Sequence, residues 1–370
     1  MVSDVLIAGG GLAGLTAAIR LSRAGFSTIV VEKRPYPHHK VCGEYVSNEV
    51  YSFLDREGMV DNLESYPQIK KFQLTAESGK KAEINLDMGG FGISRFRFDH
   101  ELSLKAQKAG VNLVFDEVTD IKREGKDFNT ILLKGEPIQS KLVLSAHGKR
   151  SRLDQSMNRE FMQQRSPWVG IKYHIHMDVP EDLIALHNFP GGYCGISKVE
   201  DGITNLCYLT KRENLLNAKS VPELEKRILA KNPFLARILS ESESLFEKPM
   251  VINEVSFASK NIVENGVFMI GDSAGLIAPL CGNGMAMAIH SGKIISDLLI
   301  QHYVGGKNSA EIEKLYRKEW SANFSRRLWM GRNLQAMFGK FRSSNNLVTL
   351  MRSQPRFARY LINKTHGREL

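Results

Sequence analysis

Asp4-Val-Leu-Ile-Ala8 runs directly into Gly9-Gly-Gly11-Leu-Ala-Gly14, after which Leu15, Ala18, Ile19 and Leu21 recur at helical spacing. A short run of strand-forming residues, a glycine turn and an amphipathic helix read as strand, tight turn, helix. Gly9 permits the turn, Gly11 lets the backbone approach a pyrophosphate, and Gly14 lets helix and strand pack closely, with the phosphates on the helix N-terminus. The pattern continues through Gly25 into a second strand, Ser27-Thr-Ile-Val-Val31, ending in Glu32, 23 residues after Gly9. A carboxylate there is placed for ribose hydroxyls and repels a 2′-phosphate, which disfavours NADP at this site.

The other end of the chain narrows the nucleotide. Gly266-Val-Phe-Met-Ile-Gly271-Asp272-Ser-Ala-Gly275 reads as a buried strand ending in Gly-Asp. A loop through Pro279-Leu-Cys281-Gly282-Asn283-Gly284 follows, then a helix from Met285 to about Leu299. In such an arrangement Asp272 accepts hydrogen bonds from a polyol chain, and backbone N–H groups at Gly282 to Met285 open a helix beside an anionic ring. A flavin needs both, because reduction places negative charge on its ring.

With these residues in place the chain resembles a family. Gly9-x-Gly11-x-x-Gly14 with Glu32, Arg95-Phe-Arg-Phe98-Asp99-x-x-Leu102, and Gly271-Asp272 with Pro279-Leu-Cys-Gly-Asn-Gly284 are similar to the FAD-binding motifs of the p-hydroxybenzoate hydroxylase fold. Lys40-Val-Cys42-Gly43-Glu44 points to the geranylgeranyl reductase-like subgroup, and the resemblance covers about residues 1 to 300. It implies an α/β (overall α+β) architecture: a Rossmann-type FAD-binding domain, an inserted antiparallel substrate sheet and a helical C-terminal extension. The implied cofactor contacts are Gly9, Gly11, Leu12, Ala13 and Gly14, then Glu32, Lys33 and Arg34, then Lys40, Cys42 and Gly43, with Arg95 and Gly148. Gly271, Asp272, Pro279, Gly282, Asn283, Gly284 and Met285 complete them.

Two departures stand out. Where the hydroxylases carry Asp-Gly at the end of a mid-chain strand, Leu142-Val-Leu-Ser-Ala146 runs into His147-Gly148-Lys149-Arg150. Where geranylgeranyl reductases tend to have Tyr-x-Trp-x-Phe-Pro, this chain reads Tyr193-Cys-Gly-Ile-Ser-Lys198, without the groups that would grip a polyprenyl chain.

At 370 residues the chain is long enough for two or three domains, and 42% hydrophobic with 24% charged residues is an ordinary globular composition. The FAD domain is expected to be discontinuous, from 1–70, 95–160 and 255–320, with 71–94 and 161–254 forming the substrate domain and 321–370 a basic helical segment. Strands are expected at Ile69 to Thr75, Ala82 to Leu86, Trp168 to Met177 and Ile203 to Leu209, and helices over Pro222 to about Leu239 and Ser309 to about Leu334.

The net charge of +10 is concentrated: residues 321–370 hold ten Lys or Arg and one acid, Glu369, so the rest is nearly neutral. That distribution argues against nucleic acid as partner. With Phe324, Leu328, Trp329, Met330, Phe338, Phe341, Leu347, Met351, Phe357, Tyr360 and Leu361 in the same segment, the tail suits an anionic bilayer or a phosphorylated ligand, or else packs on the body as a solvated helical appendage. No apolar run reaches the roughly 18 residues of a spanning helix, and no secretory signal is read at the start. The expected location is the cytoplasm, with peripheral contact at the inner membrane surface through the tail. Cys42, Cys194, Cys207 and Cys281 are too scattered for a disulfide framework or a zinc knot.

For chemistry, Cys42, Glu44 and Lys40 are the candidate catalytic residues: the resemblance places Cys42 beside the reacting double bond, and Glu44 is a proton donor or hydroxyl ligand. Tyr193, His174 and Cys281 are candidate substrate contacts. His174 and His176 share a strand face but lack a third ligand, so no metal is expected. The expected reaction is hydride transfer from reduced flavin N5 to an unsaturated hydrophobic substrate, isoprenoid-like or polyketide-like. The alternative is a monooxygenase hydroxylating an aromatic or polyketide ring through a C4a-peroxyflavin. A halogenase is a variant of that reading, although the Trp-x-Trp-x-Ile-Pro element of those enzymes is missing here. A non-catalytic flavin or lipid carrier is opposed by the complete FAD motifs. Without a second Rossmann motif, NAD(P)H or another electron donor acts as a transient reductant. Substrate identity and oligomeric state stay open.

Overall fold

The computed structural model describes residues 1–278, 282–303, 305–335, 338 and 340–370, with backbone alone at 341–343. Two sheets organise it. In the first, five parallel strands stand in the order Val267–Met269, Ile138–Ser145, Val2–Ala8, Thr28–Glu32, Asn112–Phe115. Val5, Leu6 and Ile7 are fully buried, the uninterrupted apolar pattern of a strand covered on both faces. An antiparallel excursion, Val118–Glu124 and Asp127–Leu132, feeds the strand Ile138–Ser145.

Register decides where the site lies. Ala8 is level with Val31 on one side and Ser145 on the other, and Met269 is level with Ser145. The glycine turn, Glu32, His147–Gly148 and Gly271–Asp272 therefore all leave the sheet at the same carboxyl edge, where open α/β sheets bind ligands. Helix Leu12–Arg23 packs on this sheet and against helix Gly284–Leu298. Their closest approach is at Gly292, where a Cβ would stand 2.5 Å from the Ala13 carbonyl oxygen.

The second sheet runs Glu243–Ser244, Trp168–His176, Thr204–Lys211, Gly192–Lys198, Leu183–Phe189, Gln68–Thr75, Lys81–Gly92, Tyr45–Ser47, with Met250–Ile252 paired beside Trp168–His176. It is antiparallel except where Leu183–Phe189 meets Gln68–Thr75. One face (Val169, Ile171, Cys194, Ile196, Tyr208) is covered by the helical segment 212–241. Across the other face, cross-strand partners run Lys172, Cys207, Gly195, Leu186, Leu74, and in the next row His174, Asn205, Ser197, Ile184, Phe72. That face is polar at one end and apolar at the other.

The expected helix over Pro222 to Leu239 is broken. Val221–Arg227 and Pro233–Glu241 are separate because Asn232 caps the second, accepting from the Phe234 N–H, and Pro233 supplies no amide hydrogen to continue the first. Ser309–Trp320 and Arg326–Gln335 are joined by one widened turn, Ser321–Ser325. Two further helices, Phe341–Ser353 and Pro355–Thr365, lie against the strand Lys81–Gly92. Among the described residues no helix is long and apolar enough to cross a membrane.

Candidate active site

The first turn is built as an anion cradle. Gly9 has φ of +110°, and a Cβ there would stand 2.4 Å from the Ala146 carbonyl oxygen. A Cβ on Gly14 would lie 2.1 Å from the Gly9 carbonyl oxygen, so helix Leu12–Arg23 can start this close to the strand only with glycine there. Gly11 is the N-cap and supplies no side chain, and no acid stands in the first turn, which leaves the N–H groups around Leu12 and Ala13 for an incoming anion. Around Gly11, Arg95 Nη2 and Lys40 Nζ would come within 3.4 and 4.0 Å of a Cβ. Asp99 holds both cations: Arg95 donates to it twice at 2.7 Å, and Lys40 lies at 2.9 Å. Burial pushes the Asp99 carboxyl up, but Arg95 and Lys40 outweigh that and hold it below the ordinary range.

From its sequence position Asp99 is expected to cap the helix that follows; it does not. Ser94 caps helix Arg95–Lys108, accepting from the Arg97 N–H, while Asp99 lies one turn inside. Glu32 accepts from the Gly10 N–H at 2.8 Å and so closes the turn onto the second strand's end, and Tyr36 covers it by donating to the Gly10 carbonyl. Lys33 is exposed and paired with Glu117, and Arg34 offers its backbone N–H to Glu32.

At the end where the sequence leads one to expect a flavin, Asp272 is half-buried in a crevice shared with Gly271, Gly284, Met287 and Ala288, and its carboxylate makes no hydrogen bond with the described residues. Gly271 has φ of +62°, with a Cβ 3.0 Å from that of Ala13, so the two cofactor turns touch. Helix Gly284–Leu298 begins beside Asp272 with no acid in its first turn, and Met285 is buried. The Asn283 side chain is turned away, donating to Glu49 and the Thr365 carbonyl. Gly282 stands against the Tyr45 ring, whereas Pro279 and Cys281 lie outside the described residues.

Between these ends runs the loop His39 to Glu44. Gly43 is exposed and Cys42 half-buried; the Cys42 carbonyl accepts from Asn205 and the Val41 carbonyl from Lys149. Glu44 is fully buried with φ of +54° and accepts from three donors: the Arg95 N–H at 2.7 Å, Lys172 Nζ at 2.5 Å and His174 Nε2 at 2.6 Å. Burial raises its pKa, but the Lys172 charge and the His174 hydrogen bond prevail and it is lowered. Glu44 therefore holds no proton to give at neutral pH; it anchors the loop. His174 is turned onto that carboxylate, and His39 packs against its ring, with a pKa pushed down to about 4 by burial and then by Lys172. Burial pushes the Cys207 thiol up to about 12.

His147 replaces the expected acid with a locked ring. Its Nε2–H donates to Asp154 at 2.9 Å, which leaves Nδ1 to accept from the Ser145 hydroxyl at 2.7 Å. Burial keeps the imidazole neutral, while Asp154 stays ionised and is held by Arg159. Gly148 follows with φ of +89°.

The sequence does not single out Lys172, Asn205, Tyr36 or Gly292, and it marks Asp99 only as a motif residue and helix cap and Cys207 only as one of four scattered cysteines. One signal was available: a lysine alternating with His174 in an otherwise apolar strand, Trp168-Val-Gly-Ile-Lys172, is an ionisable group aimed at a buried face.

Beyond the loop lies a largely apolar pocket, partly open to solvent. Tyr45 and Gly282 border it on the cofactor side, Phe72, Ile184 and Leu186 on the sheet, and Phe338, Met351 and Leu361 on the C-terminal helices. Its polar side chains bond within the protein: Tyr45 donates to the Gly89 carbonyl, and Thr365 and His366 to that of Ile362. Tyr193 stands outside this lining, its ring edge-on to Phe338.

A glycine cradle, flanking cations and an unengaged Asp272 beside a helix start fit FAD along its whole length. A family model described as the FAD binding domain matches residues 2–324. The chain belongs to that family. It is an FAD-dependent oxidoreductase. A digeranylgeranylglycerophospholipid reductase of Thermoplasma acidophilum is 25% identical over 357 residues, covering 90% of this oxidoreductase and 88% of that protein. A tryptophan 2-halogenase of Chondromyces crocatus is 25% identical over 347 residues, 88% of this chain but only 66% of its own length. Among solved structures, a flavin-dependent brominase superposes with a TM-score of 0.81 at 18% identity, covering 99% of this chain and 93% of that one. A geranylgeranyl bacteriochlorophyll reductase-like protein from Thermoplasma acidophilum gives 0.80 at 22%, covering 98% and 95%. At such identities the superpositions speak to fold.

Proposed function

We propose that this oxidoreductase is a reductase that saturates a carbon–carbon double bond in an isoprenoid-like or polyketide-like substrate. The observation that carries this reading is the apolar cavity against Tyr45 and Gly282, whose polar side chains are all turned to partners within the protein. Burying a chain against such walls is worth about 0.8 kcal/mol per methylene, so apolar length supplies the affinity. The Gly9–Gly14 turn, Arg95, Lys40, Glu32 and Asp272 would hold FAD, which when bound and reduced by NAD(P)H or another donor would supply the hydride.

The protein's own groups divide the remaining work. Glu44, Lys172 and His174 fix the loop that carries Cys42, and the Cys42 thiol is the group offered to the substrate carbon opposite hydride delivery. The kinship with digeranylgeranylglycerophospholipid reductases supports the same substrate class. A second reading, oxygenation or halogenation of a ring, is favoured by Gly195 and Ser197, which stand on the cavity-side sheet face where a Trp and a Phe would grip a polyprenyl chain. The test is anaerobic: the reduced protein is mixed with geranylgeranyl-bearing lipid and flavin absorbance is followed. Reoxidation with a saturated product supports the reductase, whereas product that forms only with O₂ supports the second reading.

A further inference from the structure

Helix Pro355–Thr365 has two unlike faces. Ala358, Leu361, Ile362 and Thr365 point inward, and three of them line the apolar cavity. Outward, Phe357 and Tyr360 are 41% and 53% exposed, beside exposed Arg356 and the half-buried Lys364, whose ammonium lies over the Tyr360 ring at 5.1 Å. At 100° per residue, Arg356, Phe357, Tyr360 and Lys364 share one flank. The helix is held from beneath: Asn363 donates to Asp87 at 2.9 Å, Arg359 lies 3.5 Å from the same carboxylate, and the chain after it returns to Glu49 through the Leu370 N–H. The lead-in is open as well, with Arg352 to Phe357 exposed without a break.

We propose that this outer face docks on an anionic phospholipid bilayer, with Phe357 and Tyr360 at headgroup depth, and so places the cavity wall against the membrane. Charge complementarity carries the assignment: ten Lys or Arg and one acid lie in residues 321–370, while the rest of the chain is nearly neutral. Aromatic rings among cations, on a helix too short to span, are the composition of an in-plane interfacial helix. A soluble polyanion without bases would use the cations and leave the two rings idle, and the near-neutral remainder of the chain offers nucleic acid no wider basic surface. The docking does not depend on which reaction the site performs.

The full-length holoprotein is sedimented with vesicles of equal parts phosphatidylglycerol and phosphatidylcholine, and with vesicles of phosphatidylcholine alone. Binding to the mixed vesicles alone, weakened by salt, is expected. Arg356→Gln with Lys364→Gln should weaken it by about tenfold or more, since each cation near such a surface is worth about fivefold. Phe357→Ser with Tyr360→Ser should weaken it as well, without loss of bound FAD, because both rings point away from the body. No binding to the mixed vesicles, equal binding to both kinds, or full binding by the aromatic pair variant overturns the proposal. Competition by transfer RNA with unchanged binding in the aromatic variant assigns the surface to polyanions instead.

Discussion

Lys172 and Glu44, 128 residues apart and both shut off from solvent, face each other at 2.5 Å, and this ion pair ties the flavin-side loop to the second sheet. Removing one partner leaves the other's charge buried, a loss of about 3–5 kcal/mol. Glu44→Gln and Lys172→Met should each destabilise by about that amount. The double variant should cost less than either single one, because no unpaired charge remains. Urea midpoints at pH 7 measure this; two small, additive losses would show that the pair does not hold the loop.

Acid should loosen the protein before its carboxylates titrate. His187, stacked on Phe234, and His290, beside Phe324, are held by burial at about 4, below the ordinary 6.5. A lowered folded pKa means the unfolded chain takes up the proton first. The stability is therefore fully present above pH 6.5 and is lost as pH falls through 4, on the order of 3 kcal/mol per ring. Glu44, also lowered, acts in the same direction but from the carboxylate range downward. Unfolding midpoints should fall steadily from pH 6.5 to 4.5, with a shallower slope in His187→Gln with His290→Gln. A flat profile over that interval would refute the assignment.

The two acids near the cofactor should separate by what they touch. If Asp272 meets the cofactor's polyol chain, Asp272→Ala would remove charge-assisted hydrogen bonds worth about 1.5–3 kcal/mol, a loss of FAD affinity of roughly ten- to a hundredfold. Asp99→Asn acts through Arg95 and Lys40, which stay cationic but lose the carboxylate that aims them, and should cost about tenfold or less. Titration of apoprotein with FAD, followed by flavin fluorescence, gives both constants. A larger loss at Asp99 would mean that the paired cations, not the polyol contact, dominate binding.

Gly292→Ala should strain the contact between the two cofactor helices, since its Cβ would meet the Ala13 carbonyl oxygen at 2.5 Å. Overpacking of this kind costs about 1–3 kcal/mol. Thermal midpoint and FAD affinity should fall together, whereas a change in neither would mean that the helices move apart freely.

What could be read in the sequence follows from how local each part is. Gly9 to Gly14, Glu32 and Gly271–Asp272 sit at strand ends whose turns are written in consecutive residues, so these turns, which the fold brings to one sheet edge, were legible. The Glu44, Lys172 and His174 contact was not, because it depends on a cross-sheet approach that no local pattern encodes; Glu44 alone reads as a loop acid able to give a proton. Asp99 reads as a cap because it follows Arg95-Phe-Arg-Phe98, yet Ser94 already caps that helix, which frees Asp99 to hold two cations. The apolar character of the C-terminal helices was visible, but the cavity they wall off depends on Phe72 and Ile184 from distant strands.

Cys42 remains the residue on which the proposed chemistry turns. Its carbonyl is fixed by Asn205 and its loop by Glu44, so Cys42→Ala should leave fold and FAD content unchanged. If the thiol serves the substrate carbon as acid or orienting group, its loss should slow substrate-dependent reoxidation of the reduced protein by at least about tenfold, the low end of general acid assistance. Reduction by the electron donor should be nearly unaffected, because that half-reaction asks nothing of the thiol. In an oxygenating enzyme the same substitution would only reshape the pocket, and both half-reactions would keep their rates. Anaerobic stopped-flow measurement of the two halves distinguishes these cases, and an unchanged reoxidation rate with an unsaturated apolar substrate would remove Cys42 from the mechanism.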